Sequence, residues 1–112
     1  MNDEKIKRLE VMSGIGKNVR FKKKEGGGFT HMGVVDDEVY IMVGDYKHLL
    51  QKIKFNPGVS WDGSVYAFRT GYYTYDKDRK HIKWGQFSQC LTEKEYRMLL
   101  KKAIEKGWKV LS

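Results

Sequence analysis

Cysteine, proline and histidine are scarce in this 112-residue chain, and no long hydrophobic run occurs in it. Each scarcity closes off a class of protein. The lone Cys90 excludes an intramolecular disulfide and a multi-cysteine metal site, and it fits a reducing compartment. His31, His48, His81 and Cys90 make none of the close pairs from which zinc sites are usually built, so no metal or other cofactor is expected. The longest aliphatic stretch, Val39 to Val43, is far too short to span a bilayer. Met1-Asn2-Asp3-Glu4 leads into a charged segment rather than a signal-peptide core, so a cytoplasmic protein with no membrane partner is expected. Gly14-Ile15-Gly16-Lys17 lacks the longer glycine-rich loop, and the Ser or Thr after the lysine, of a phosphate cradle. Internal repeats, low-complexity tracts and linkers are also missing. One domain over residues 1–112 is expected, long enough to bury roughly two-thirds of its unfolded surface.

Basic and aromatic residues, by contrast, are abundant. Lys and Arg number 22 against 14 Asp and Glu, a formal net charge of +8, and aromatic residues make up 13%. Such a charge speaks of partners and solubility rather than of fold.

The pattern of residues predicts an α+β fold. A short helix over residues 3–12 breaks at Gly14 and Gly16, and residues 17–24 then alternate, with Val19 and Phe21 opposite Arg20, Lys22 and Lys24. Gly26-Gly27-Gly28 forms a turn, and residues 29–35 and 39–43 read as strands joined by an acidic loop, Asp36-Asp37-Glu38. Tyr46, Leu49, Leu50 and Ile53 fall at helical spacing behind Asp45 as a cap, with a strand from His48 to Phe55 as the alternative. Asn56-Pro57-Gly58 ends that element in either case. Residues 64–75 and 81–87 make a long hairpin around a polar loop, and Gly71 is a potential bulge.

The C-terminal helix carries the fullest set of local signals. Thr92 and Glu95 form a capping box, and Tyr96, Leu99, Leu100, Ala103 and Ile104 make one apolar stripe. Gly107 suits a left-handed end, with Trp108 closing over Ala103. An antiparallel sheet of about five strands, with this helix packed on one face, is the expected architecture. A small β-barrel with appended helices is the alternative.

No constellation points to catalysis. Asp36 or Asp37 with Asp45 and Lys47 suggests a metal-dependent nuclease only faintly, because loop and cap roles account for the same carboxylates. What remains is the interleaving of aromatic and basic residues between Trp61 and Phe87. Lys22 and Lys24 on one strand, with Lys77, Arg79, Lys80 and Lys83 around one hairpin, would hold phosphates if those elements are neighbours. Bases would stack on Tyr73 and Tyr75, provided these rings are exposed. The expected function is non-catalytic binding of nucleic acid or another polyanion through this hairpin. An accessory or inhibitor module for an acidic protein partner is the second reading, with Met98 beside Trp108 as its apolar anchor. The third is binding of a small anionic ligand such as a nucleotide around Arg69, unless Arg69 pairs with Asp62 or Glu38.

Overall fold

The computed structural model describes residues 3–22, 29–78, 80–85 and 90–109. Helix α1 spans Asp3–Val11. The strands β1 (Asn18–Lys22), β2 (Phe29–Val43), β3 (Tyr46–Phe55), β4 (Tyr66–Tyr75) and β5 (Ile82–Gly85) follow, and helix α2 (Glu93–Glu105) comes last. The strands form one antiparallel sheet in the order β1-β2-β3-β4-β5. Each strand lies beside its neighbour in sequence, the arrangement that short connections favour. The fold is α+β with α2 packed on the sheet, as the sequence predicts. A closed barrel needs β1 to pair with β5, and that pairing does not occur among the described residues.

One segment departs from expectation, and another settles a choice that the sequence leaves open. Residues 36–38 are not a loop, because β2 runs unbroken through them. Glu38 is buried, and its Oε2 accepts from the Gly14 amide at 3.2 Å and from Gln51 Nε2 at 3.1 Å. Partners distant in sequence thus satisfy a carboxylate that local reasoning assigns to solvent. Residues 46–55 form a strand rather than a helix. Gly44, at φ 56°, and Asp45 make the tight turn that leads into it.

The chain forms two compact units. The first comprises Met1–Ser13, Val39–Leu50 and Thr70–Ser112, the second Gly14–Glu38 and Gln51–Arg69. In the first unit Leu49 and Leu50, consecutive on β3, point to opposite faces. Leu49 joins Leu9 of α1 with Tyr73 and Tyr75, while Leu50 joins Val39, Ile41, Leu99, Ala103 and Trp108. Both faces of this part of β3 are therefore covered, which removes the two-residue alternation that would mark it as a strand.

Helix α2 is closed at both ends as its sequence predicts. Thr92 Oγ1 accepts from the Glu95 amide at 3.1 Å, and Glu95 Oε1 accepts from the Thr92 amide at 2.9 Å. Gly107, at φ 85°, donates its amide to Ile104 O, and Trp108 donates to Ala103 O, completing a Schellman ending. Helix α1 ends on a side chain instead. Lys47 Nζ donates to the carbonyls of Glu10 and Met12, each at 2.5 Å, and lies 4.3 Å from the centroid of the Tyr40 ring. A cation is favoured at this negative end of the helix.

The hairpin of β4 and β5 is pinned by glycines facing rings. Tyr72 pairs with Gly85, and Tyr73 with Trp84, without a shift of register in the paired residues. A Cβ at Gly71 would come within 2.0 Å of the Trp84 ring, and one at Gly85 within 2.1 Å of the Tyr72 ring. Gly71 accordingly serves the close approach of an indole.

The second unit holds a smaller apolar cluster of Val19, Val35 and Ile53, with Met32 and Ala67 against it. The register of β1 and β2 shifts between Val19, opposite Gly33, and Arg20, opposite His31. A Cβ at Gly33 would meet Lys54 O at 2.0 Å, so only glycine allows the two backbones this approach.

Candidate functional site

In the first unit, the turn between β2 and β3 meets the ends of β4 and β5 around a cavity of about 430 Å³. Asp45, Tyr46, Thr74, Tyr75, Asp76, Lys77 and Lys83 line it. Lys83 is brought there by pairing with Thr74, since directly opposed residues of antiparallel strands share a face. Thr74 Oγ1 donates to Asp45 O at 2.8 Å and ties the two sides together. The Asp76 amide donates to His81 O at 2.8 Å and closes the hairpin on which Lys77 sits.

Tyr46 supplies an aromatic wall. It is 44% exposed, lies parallel to His48 with centroids 5.8 Å apart, and meets the Tyr72 ring edge-on at 5.5 Å. His48 in turn meets Tyr72 edge-on at 6.3 Å. Such offset and edge-to-face arrangements hold rings in fixed orientation. Burial lowers the His48 pKa below its ordinary value, and the nearby Glu95 carboxylate opposes that shift without cancelling it. A neutral imidazole leaves the positive charge of the site to the lysines.

The residues nominated from sequence divide sharply. Lys77 and Lys83 come together in the cavity, and Lys80 lies exposed on the same hairpin, its amide bonded to Asp78 Oδ1 at 2.9 Å. Lys24 and Arg79 fall outside the described residues. Lys22 is on β1, which is not a neighbour of β4 or β5 in the strand order.

Tyr73 and Tyr75 are only 5% and 7% exposed, which corrects their expected role as stacking platforms. Helix α1 covers that face: Leu9 packs with both rings, and Tyr75 donates its hydroxyl to Lys5 O at 3.0 Å. Trp108 is likewise core, at 5% exposed, and cannot be a surface anchor beside Met98. Met98 itself is exposed, in a shallow groove with Glu93, Lys94, Arg97 and Lys101.

Arg69 belongs to a polar chain inside the second unit. Its Nε donates to Gln51 Oε1 at 2.8 Å, and Gln51 reaches Glu38. Gln51 thus connects Arg69 to Glu38, one of the two carboxylates expected near it. Asp62 instead closes its own turn, its Oδ1 accepting from Ser60 Oγ at 3.2 Å and the Ser64 amide at 2.9 Å. These serine partners, the Ser64 hydroxyl foremost, hold the Asp62 carboxyl below the usual range. Lys47, the lysine of the nuclease reading, is 3% exposed with its Nζ on the end of α1.

Among the described residues, Asp76, Asp78 and His81 bring donor atoms within 4.8 Å of one another. One imidazole and two carboxylates are a mixed nitrogen and oxygen set suited to a divalent transition ion. His81 Nδ1 lies 3.3 Å from Asp78 Oδ2, and the Lys80 amide is the largest influence holding the Asp78 carboxyl low. Lys77 and Lys80 on the same short turn add positive charge that opposes a cation there.

Tyr46, Asp45, Tyr72 and Asp76 are the site residues that the sequence does not single out for binding. The signal was present in Gly44-Asp45, a glycine-led pair of the kind that turns a hairpin, followed by Tyr46 and His48 on alternate positions. None of the described helices is long and apolar enough to cross a membrane. No protein-family model, curated protein or solved structure matches the chain, and the site stands on its own geometry.

Proposed function

We propose that this protein binds single-stranded nucleic acid, without chemical change to it, at the cavity between the β2–β3 turn and the β4–β5 hairpin. The observation that carries the reading is the placement of Lys77 and Lys83 in one cavity with the exposed, braced ring of Tyr46. Phosphates attract the two ammonium groups at long range, and an unpaired base offers Tyr46 a flat face. A duplex keeps its bases stacked on one another and presents no such face, so a single strand is the better fit. The formal charge of +8 adds a general attraction that speeds encounter.

Fluorescence polarisation with a labelled single strand, taken across a salt series, tests this. Affinity should fall steeply with salt, and Lys77→Glu or Lys83→Glu should each reduce the log–log slope by roughly one. Tyr46→Ala should weaken binding by about 1–3 kcal/mol, the contribution of one stacked base. Absence of binding at low salt, or full binding by all three variants, would reject the proposal.

A further inference from the structure

A cavity meant for phosphate alone would be lined with cations alone. This one is lined by Asp45 and Asp76 as well as Lys77 and Lys83, so its ionisable charges of opposite sign balance. For a purely anionic ligand the two carboxylates would offset what the lysines contribute. A ligand with a negative end and a separate hydrogen-bond-donating edge removes that conflict. One nucleotide of a strand has both, along with a ring for Tyr46.

We infer that the aspartates make the cavity selective, favouring bases with an exocyclic amino group over uracil and thymine. This rests on the nucleic-acid reading above and deepens it. An ionised carboxylate only accepts hydrogen bonds. Cytosine offers it an N4 amino group, adenine an N6 amino group, and guanine an adjacent N1–H and N2 amino pair that matches both carboxylate oxygens. Uracil and thymine offer a single N3–H flanked by two carbonyl oxygens, whose lone pairs face the carboxylate and repel it. The pairing of Asp with the cytosine amino group follows the same logic at duplex edges.

Both aspartates sit on backbone that is already fixed. The Asp45 carbonyl holds the Thr74 hydroxyl at 2.8 Å, and the Asp76 amide holds the His81 carbonyl at 2.8 Å.

Cytosine and thymine are pyrimidines of similar size, so a pair of homopolymers isolates the edge from the stack. Binding of a deoxycytidine strand and a deoxythymidine strand of equal length is measured by fluorescence polarisation at neutral pH and fixed salt. The native chain should prefer deoxycytidine by about tenfold or more. Asp45→Asn and Asp76→Asn add an amide N–H that donates to a thymine carbonyl, so at least one of them should abolish or reverse the preference. Equal binding of both strands by the native chain overturns the inference and leaves the binding function standing. A preference retained in both variants also overturns it, since selection would then lie elsewhere. Failure to bind either strand rejects the underlying reading instead.

Discussion

The first unit buries two apolar clusters, one between α1 and the sheet and one between α2 and the sheet. The second has no helix among its described residues and only a small cluster of Val19, Val35 and Ile53 at its centre. Its remaining interior is polar: Arg69 to Gln51 to Glu38 to the Gly14 amide, with Gln51 only 1% exposed. Apolar burial is strong and non-directional, whereas a hydrogen-bonded chain stabilises little in net terms but tolerates few geometries. A part of the fold without a helix to cover it can therefore remain specific while being weaker. The exposed Tyr46 ring and the lysines of the proposed site lie on the better-buttressed unit, where α2 and α1 hold the strands that present them.

The sharpest way to break this comparison is to remove one interior group from each unit. Leu99→Ala, at a position 1% exposed under α2, should cost about 2–5 kcal/mol in urea unfolding. Gln51→Leu keeps the volume and deletes the relay between Arg69 and Glu38, for about 1–3 kcal/mol. A larger loss for Gln51→Leu would reverse the assignment of strength to the apolar unit. Glycine substitutions sharpen the contrast at a smaller scale. The Cβ of Gly33→Ala meets the Lys54 backbone at 2.0 Å, while that of Gly71→Ala meets the Trp84 side chain at the same distance. A backbone cannot swing aside as an indole can, so Gly33→Ala should lie near the upper end of about 1–3 kcal/mol and Gly71→Ala near the lower. Equal losses in melting experiments would show that the indole is as immobile as the strand.

The smallest expected effect is a pH dependence confined to the first unit. Burial lowers the His48 pKa from 6.5, so below that pH the folded state binds fewer protons than the unfolded chain. Stability is complete above pH 6.5 and is lost as the pH falls toward the folded value. Melting temperatures followed downward from neutral pH should show a fall that His48→Gln flattens. An identical fall in that variant would assign the dependence to other groups.

Features fixed within a few residues were the legible ones. The caps of α2 and the hairpin after Tyr75 follow from side chains that bond their own neighbourhood. Glu38 was misread because its partners, Gly14 and Gln51, lie far off in sequence, and nothing local announces them. The sequence leaves residues 46–55 open between helix and strand because two helices cover both faces of the strand within the first unit and remove its alternation. The expected total of about five strands holds because β2 is one strand where the sequence suggests two, while residues 46–55 take the strand alternative rather than the helical one. At the site, the cations Lys77 and Lys83 were legible from charge alone. The exposure of rings was not: Tyr73 and Tyr75 depend on where α1 packs, and Tyr46 on a turn taken for a helix cap.

The anchoring of α1 sets a timetable for how the chain comes together. At 9 residues the helix is shorter than the roughly 12–15 that an isolated helix needs to persist in water. Its fastenings are all translated later: the Tyr40 hydroxyl on Glu10 Oε2, Lys47 on its terminal carbonyls, and Tyr75 on Lys5. The last of these fastenings cannot form until β4 is complete and Tyr75 can reach back across 70 positions of chain.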